Sequence, residues 1–162
     1  MRRYHQMLFR GMTVNVRLVE SGDAGALLRV APGVFDGPVD PRWSAEFLAD
    51  ARHHLAVAID DGVIVGMASA VHYVHPDKAP QLFINEVGVA PTHQHQGIGR
   101  RMLDVLLDRG RTLRCTEAWV LTDRANAIAQ RLYAATSGAV APEDAMMYTF
   151  FLEPRAIPGT PD

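Results

Sequence analysis

Apolar residues recur along the chain with two different spacings, which predict strands and helices in a defined order. Every second residue is apolar in MTVNVRLV, so residues 12–19 are predicted to form a first strand. Two apolar, β-rich runs follow at 54–60 and 63–74, separated by Asp61 and Gly62. Since an Asp-Gly pair suits a turn that needs positive φ, the two runs are predicted to form a hairpin.

Helix patterns precede this hairpin, and strand and helix patterns alternate after it. Pro41 suits the first position of a helix over residues 41–54, in which Trp43, Phe47 and Leu48 share one apolar face. Further helices are predicted near 24–30, at 97–113 and at 126–136, and further strands at 80–89, 117–122 and 144–152. This order predicts a mixed α/β (α+β) protein in which helices pack against one sheet.

Length and charge narrow the class of protein. The 162 residues are about enough for one domain, which is expected to span residues 12–154, with residues 1–11 and 155–162 as flexible termini. A net charge of −2 favours neither nucleic acid nor an anionic membrane as a partner, and tolerates a cationic small molecule. No signal peptide or membrane-spanning run is recognised, and the one cysteine forms no internal disulfide, so a cytoplasmic location is expected.

Residues 94–99, here called the glycine loop, join a predicted strand to a predicted helix. Gly97 and Gly99 allow close approach of the backbone, and a helix N-terminus offers unpaired N–H groups and a positive dipole end. His95 and Arg100 add donors and charge at the same place. The loop is therefore suited to a phosphate, although a tight connection with a solvated basic rim would show the same pattern.

Two motifs resemble one known family. Gln94-His95-Gln96-Gly97-Ile98-Gly99 matches the Q/R-x-x-G-x-G/A signature of the GCN5-related N-acetyltransferases, the GNAT superfamily, which binds the pyrophosphate of acetyl-CoA. NAIAQRLY, residues 126–133, looks like the N-x-x-A-x-x-L-Y of the same family. The resemblance implies a GNAT fold: a mostly antiparallel twisted sheet of about six to seven strands, splayed at the acetyl-CoA site and flanked by about four helices.

The resemblance also implies roles for individual residues. The strand before the glycine loop would offer its backbone to the pantetheine arm, Asn126 would contact the pantetheine side, and Tyr133 would act as general acid at the sulfur. The implied acetyl-CoA contacts are Val87, Gly88, Val89, Gln94, His95, Gln96, Gly97, Ile98, Gly99, Arg100, Asn126 and Tyr133. After Tyr133 the family often continues K-L-G-F, whereas this chain reads ATSGAV, which leaves the geometry there open.

Glu86 is the candidate base. Acetyl transfer needs a neutral amine, and an alkylamine is mostly protonated near neutral pH, so a proton acceptor is required. In strict alternation Glu86 shares a strand face with Leu82 and Ile84, an apolar setting that raises a carboxyl pKa. A β-bulge, which the family often has here, would change that facing, and a salt-bridged carboxylate at a strand end is the alternative role.

The acceptor is inferred from a looser likeness to the aminoglycoside 3-N-acetyltransferases of GNAT type. It rests on the loop GVFDGPVDP and on a Pro-rich loop, VHYVHPDKAPQ, that leads to the acidic position of the core strand. The residues expected to bind a cationic acceptor through their carboxylates are Asp36, Glu86, Asp123 and Glu143. An antibiotic-resistance activity would follow from such an acceptor.

Other functions stay open. The alternatives are acetylation of another small amine, acetylation of a protein amine, and binding of acetyl-CoA without catalysis. The histidines show no convincing ligand spacing, so no metal is expected; His53 and His54, placed on a predicted helix end, cannot share one face. The apolar last strand MMYTFFL and the family suggest a homodimer, although pairing within one chain would explain that strand as well.

Overall fold

The computed structural model describes residues 14–20, 22–141, 147–150 and 152. Its strands are β1 (Asn15–Leu18), β2 (His53–Asp60), β3 (Val63–His75), β4 (Lys78–Val89) and β5 (Glu117–Val120). Its α-helices are α1 (Pro41–Ala49), α2 (Ile98–Thr112) and α3 (Ala127–Ala135), and short 3₁₀ turns cover Ala24–Leu28 and Pro91–His93. The chain thus alternates strands and helices in its second half, as the hydrophobic pattern predicts.

The five strands form one mixed sheet in the order β1-β2-β3-β4-β5. The first four pair antiparallel, and the predicted hairpin around Asp61 and Gly62 joins β2 to β3. Both turn residues have positive φ, 46° and 72°, as the sequence requires. β5 pairs with β4 in parallel, and only from Gln81 to Ile84 on the β4 side.

The two faces of the sheet are covered by different elements. Gly66 of β3 lies under α2, since a Cβ there would come within 3.1 Å of Met102 Cε and 3.2 Å of Ile98 Cγ2. Met102 and Leu106 belong to the same buried core as the strand residues on this face. The opposite face carries Leu55 of β2 and Ser69 of β3. It faces α1 and residues 31–40.

Helix α1 is shorter than the predicted helix over 41–54. It begins where the Asp40 carboxylate accepts the backbone N–H groups of Arg42 and Trp43, at 2.8 and 3.2 Å, with Pro41 as the first helical residue. It ends at Ala49, where the Asp50 carboxylate accepts the backbone N–H of Arg52 at 2.9 Å. This local hydrogen bond competes with a further helical turn, and β2 starts at His53.

His53 and His54 therefore lie in strand β2, whereas the sequence predicted that they lie at a helix end. They are on opposite faces of the sheet, because neighbouring side chains in a strand alternate. His54 Nε2 lies 2.9 Å from His72 Nδ1. Burial, together with the charge of Arg109, lowers the pKa of His54 to about 4, so this imidazole is neutral at physiological pH.

Three further predictions differ from the structure. The helix near 24–30 is a single 3₁₀ segment, and the segment 71–81, predicted as a loop, continues β3 and β4 around a tight turn at 76–77. Residues 147–150, part of the predicted last strand over 144–152, lie outside any strand, and Met147, Tyr148 and Phe150 are exposed. The rest of that segment, apart from residue 152, lies outside the described residues.

The described residues thus hold five strands and three α-helices, against the six to seven strands and about four helices expected. The described helices are all too short or too polar to cross a membrane.

Candidate active site

Glu86 occupies a β-bulge. Ser69 of β3 pairs with Glu86, whereas the next residue, Ala70, pairs with Ile84, so Asn85 is the extra residue on β4. An extra residue reverses the facing of every side chain beyond it. Glu86 therefore leaves the face of Leu82 and Ile84, where strict alternation placed it, and lies on the Ser69 face. The bulge alternative raised from the sequence is the one that the structure shows.

A cavity of about 410 Å³ lies on this face, within the size range of small-molecule sites. It is formed between the sheet, the segment 35–40 and the helix α1. Its floor includes Leu55, Ser69 and Glu86, and its far wall includes Trp43 and Phe47. Asp36, a predicted acceptor-binding residue, also lines this cavity, so the structure brings two of the predicted carboxylates, Asp36 and Glu86, to one site.

The electrostatics of the cavity favour a proton acceptor at Glu86. Burial raises the pKa of the Glu86 carboxyl, and the negative charge of Asp36 raises it further. A carboxylate whose pKa lies above the ordinary range is a stronger base than an ordinary carboxylate. Within the described residues, neither the Asp36 nor the Glu86 carboxylate has a hydrogen bond or an ion pair. The geometry therefore does not support the alternative role of Glu86 as a salt-bridged residue at a strand end.

Gly88 fixes the position of the segment that carries Asp36. A Cβ on Gly88 would overlap the carbonyl oxygen of Val34 and lie 3.1 Å from the carbonyl carbon. Val34 is buried, with 2% of its surface exposed, so the backbone of this segment is packed directly on β4. Glycine at position 88 is what allows the acidic segment to approach Glu86 so closely.

We expect Gly88→Ala to lower the stability by about 1–3 kcal/mol, because the added methyl group must displace the Val34 backbone. Since that displacement also moves Asp36, kcat/KM for the acceptor should fall. Denaturant unfolding and steady-state kinetics measure the two effects. Gly25→Ala is the control, because a Cβ at Gly25 meets nothing within 4 Å. Equal behaviour of the two variants would contradict the close packing at Gly88.

The glycine loop is shaped as a backbone anion site. His95 and Gly97 both have positive φ, 60° and 73°, while Gln96 between them does not. Such alternation turns successive N–H groups toward one side. Gly97 caps α2, and the N–H groups of the first turn after it have no partner within the helix. A Cβ at Gly97 would meet nothing within 4 Å, so the space beside the loop is open.

The side chains of the loop have more varied roles than predicted. Gln94 Nε2 donates to the Val89 carbonyl at 3.1 Å and ties the loop to the end of β4. Arg100 is exposed at the start of α2, where its charge faces solvent, whereas Arg101 donates to the Val14 carbonyl at 2.5 Å and belongs to the β1 side. The anion site is therefore built mainly from backbone N–H groups and the helix dipole.

One edge of β4 is free beside the loop. The pairing with β5 stops at Ile84 and Val120, and no described strand pairs with that edge of β4 over residues 85–89. Val87, Gly88 and Val89 lie in this stretch, as the splayed sheet implied. Backbone donors and acceptors on this edge suit an extended, amide-containing arm such as pantetheine.

Helix α3 packs against the end of the glycine loop through Leu132, the residue before Tyr133. A Cβ on Gly99 would lie 3.3 Å from Leu132 Cδ2, so α3 packs against the first turn of α2. Tyr133 follows Leu132 and is half-buried; burial raises the pKa of its hydroxyl, which keeps the phenol protonated. Asn126 is the N-cap of α3, and its Oδ1 accepts the Ala129 N–H at 3.0 Å, which leaves only its amide NH₂ for a ligand.

The sequence ATSGAV ends α3 in an ordered way. Gly138 N–H donates to the Tyr133 carbonyl at 2.9 Å, and Ser137 N–H donates to the Ala134 carbonyl at 3.1 Å. Ser137 has a φ of 66°, the left-handed value of a Schellman motif. The departure from K-L-G-F therefore leaves the backbone after Tyr133 well defined.

Of the two other predicted acceptor residues, the structure describes only Asp123. Asp123 precedes α3, where its carbonyl accepts the Asn126 N–H at 2.9 Å, and it does not line the cavity. Glu143 lies outside the described residues. No group of three or more metal-ligating side chains is found among the residues that the structure describes.

The sequence did not reveal how the glycine loop is anchored. His93 Nε2 lies 3.0 Å from the Asp60 carboxylate, and His93 Nδ1 lies 2.8 Å from the Thr92 hydroxyl. This pair fastens the Pro91–His93 turn to the end of β2. The contact joins residues far apart in sequence, so no local pattern signals it. Trp43 and Phe47 of the cavity wall belong to the predicted apolar face of the helix, but that pattern does not reveal a cavity.

Comparisons with known proteins agree with this geometry. The model of the acetyltransferase (GNAT) family matches residues 26–139. A search of the curated proteins finds no match. Among solved structures, the aminoglycoside acetyltransferase meta-AAC0020 from an uncultured soil metagenomic sample, in complex with sisomicin, has a TM-score of 0.74 at 18% identity, over 86% of this chain and 97% of that chain.

Two other solved structures share the fold. The aminoglycoside N-acetyltransferase AAC(6′)-Iy in complex with CoA has a TM-score of 0.70 at 22% identity, over 89% of this chain and 99% of that chain. The ribosomal-protein-alanine N-acetyltransferase of Brucella melitensis biovar Abortus 2308 has a TM-score of 0.67 at 20% identity, over 85% and 100%. Because the family model covers more than half of the 162 residues, the chain belongs to the acetyltransferase (GNAT) family and is an acetyl-CoA-dependent N-acetyltransferase.

Proposed function

We propose that the protein transfers the acetyl group of acetyl-CoA to the primary amine of a small cationic acceptor bound in the cavity beside Glu86. The observation that supports this most is the bulge at Asn85, which turns Glu86 into the cavity that also contains Asp36. Two carboxylates facing an open cavity attract an ammonium group, and the more basic of them takes its proton.

The residues present fit acetyl-CoA as cosubstrate. The glycine loop and the first turn of α2 would hold its phosphates, and the free edge of β4 would hold its pantetheine arm. When bound, acetyl-CoA supplies an activated acetyl group. We assign the main acetyl-CoA contacts to the backbone of the β4 edge and of the glycine loop. The side chains of Arg100, Asn126 and Tyr133 are assigned further contacts.

The proton transfers balance with two side chains. Glu86 accepts a proton from the ammonium group of the acceptor, which frees the nitrogen lone pair. As the new N–C bond forms and the thioester C–S bond breaks, Tyr133 donates its proton to the departing sulfur. The products are an N-acetylated amine and the thiol of coenzyme A. The nitrogen, which becomes cationic as the N–C bond forms, loses its second proton through solvent to the Tyr133 phenolate, which restores the phenol. Solvent removes the proton on Glu86.

Aminoglycosides are the acceptor class that the sequence likeness favours, and we include them in the proposal. The fold neighbours whose names specify this activity support it, although at 18–22% identity they share only the fold. The name of one of them specifies the 6′ position and not the 3-N position. The position of the acetyl group must therefore be determined on the product. Acetylation of such an antibiotic would make the protein a resistance enzyme.

The test is a thiol-release assay with acetyl-CoA and a panel of aminoglycosides, polyamines, simple alkyl and aryl amines, and short peptides. Mass spectrometry and NMR then locate the acetyl group in each product. We expect amine-dependent thiol release that is lost in the Asp36→Asn, Glu86→Gln double variant. Tight binding of acetyl-CoA without turnover of any amine would overturn the proposal and favour a non-catalytic acetyl-CoA-binding protein.

The glycine loop has its own prediction. Gly97→Ala should weaken acetyl-CoA binding about tenfold, because the methyl group enters the open side of the loop and strains a residue at a φ of 73°. Gly62→Ala is matched in strain, since Gly62 has a φ of 72° in the β2–β3 turn. Isothermal calorimetry should show unchanged acetyl-CoA affinity for Gly62→Ala. Equal affinities for both variants would place the phosphates elsewhere.

A further inference from the structure

Helix α1 has an apolar face that is only partly covered: Phe47 and Leu48 pack against the core, whereas other aromatic surface stays open. None of its nine residues is buried, and the Trp43 side chain is 58% exposed. Phe47, one turn later, stacks on the His53 ring with 4.8 Å between centroids, which fixes the orientation of the phenyl group. Both rings line the cavity beside Glu86. Exposed aromatic surface at a cavity wall is surface that a ligand can bury.

The lining of the cavity is mainly apolar and includes Leu27, Phe35 and Leu55. Its polar side chains are those of Asp36, Asp40, Ser44, Ser69, Asn85 and Glu86. None of the described residues that line the cavity is Lys, Arg or His. The Asp40 carboxylate, although nearby, already caps α1 by accepting two backbone N–H groups. The cavity therefore offers two free carboxylates for one cation and mainly apolar surface for the rest of the ligand.

The indole of Trp43 is also held in place. The Arg42 guanidinium carbon lies 4.8 Å from the centroid of the Trp43 ring, so a cation stacks on the indole. This contact and the Phe47–His53 stacking preorganise the two rings without filling the cavity. A preorganised wall loses less side-chain entropy when a ligand binds.

We propose that the preferred acceptor is a molecule with one primary amine and an apolar, aromatic body. This inference rests on the proposed acetyl transfer to an amine in this cavity. The ammonium group lies between Asp36 and Glu86, and the body packs between Phe35, Trp43 and Phe47. An aminoglycoside carries hydroxyl and ammonium groups on every side of its rings. Burying these against apolar walls leaves them without hydrogen-bond partners, which opposes binding.

The first experiment compares kcat/KM for three amines at saturating acetyl-CoA: 2-phenylethylamine, ethylamine and sisomicin. Because the phenyl group is buried against the aromatic wall, 2-phenylethylamine should exceed ethylamine by at least about tenfold, and should exceed sisomicin. Equal values for the two simple amines, or a higher value for sisomicin, would overturn the inference and leave the acetyltransferase proposal intact. No turnover of any amine would overturn both.

The second experiment assigns the preference to the wall. Trp43→Ala and Phe47→Ala should each lower kcat/KM for 2-phenylethylamine about tenfold and leave the value for ethylamine within about twofold. Leu28→Ala is the control, because Leu28 is exposed and lies outside this cavity. Thermal unfolding of each variant checks the fold, and Phe47→Leu replaces Phe47→Ala if the latter fails to fold. Equal losses for both amines would contradict a role for the rings in recognising the body.

Discussion

Replacing Tyr133 with phenylalanine should lower kcat by about 10²-fold, because the departing sulfur then lacks its proton donor. Burial raises the pKa of the Tyr133 hydroxyl, which favours the protonated phenol that the donor role requires. The affinity for acetyl-CoA should change by less than about threefold, since we propose that the backbone of the glycine loop, and not Tyr133, holds the phosphates. Steady-state thiol release and calorimetry on the same preparations measure both quantities.

Tyr148→Phe is the matched control for this change. It removes one phenolic hydroxyl from a side chain that is 73% exposed and outside the described helices and strands. Both kcat and acetyl-CoA affinity should match those of the wild type. An unchanged kcat in Tyr133→Phe would remove Tyr133 as the acid, and a loss confined to acetyl-CoA affinity would reassign it to cosubstrate binding.

Replacing Glu86 with glutamine should lower kcat/KM for the acceptor by about 10²- to 10³-fold, because the amide cannot accept the proton of the ammonium group. The pH dependence gives the sharper signature. Glu86 acts only when ionised, so kcat/KM of the wild type falls as the pH drops through the Glu86 pKa, which lies above the ordinary 4.5. This fall in kcat/KM on the acidic side of the pH profile, the break in its acid limb, should be absent in Glu86→Gln.

Asp36→Asn tests the cause of the raised pKa. The negative charge of Asp36 is the second contribution to the Glu86 pKa, after burial. Removing that charge stabilises the ionised form of Glu86, so the break in the acid limb should move to lower pH. The acceptor KM should rise as well, because one of the two carboxylates is lost. A break that persists in Glu86→Gln, or that moves upward in Asp36→Asn, would assign the proton transfer to another group.

The position of the glycine loop before α2 was predictable because its signals are local. Gly97 and Gly99 stand within one loop, and their spacing sets both the backbone conformation and the start of α2. The Asp61-Gly62 turn was predictable for the same reason, since the residues that need positive φ are the residues that turn. Each of these features depends on residues that are neighbours in sequence.

The acceptor half was harder to predict because it depends on register. One extra residue, Asn85, decides on which face Glu86 lies, and a two-residue period in the sequence does not reveal it. Asp36 meets Glu86 only because Gly88 lets the Val34 backbone pack on β4. Contacts of this kind join distant segments through backbone shape, which leaves no periodic signal.

Composition also misled in one respect. Acidic residues were grouped by type, and Asp36 and Glu86 do line one cavity, whereas Asp123 lies at the start of the turn before α3. The apolar residues Trp43 and Phe47 share one face of the predicted helix. In the structure that face also borders the cavity, which is the observation from which we infer an acceptor with an apolar body.

The central claim is that the glycine loop and the Glu86 cavity are two halves of one site, and binding of a bisubstrate ligand tests it most directly. The ligand joins the sulfur of coenzyme A through an acetyl linker to the nitrogen of 2-phenylethylamine, and calorimetry measures its affinity against coenzyme A alone. The expected result is an affinity at least about 10²-fold above that of coenzyme A, reduced by Gly97→Ala and by Trp43→Ala. An affinity no higher than that of coenzyme A, unaffected by Trp43→Ala, would show that the two halves do not act as one site.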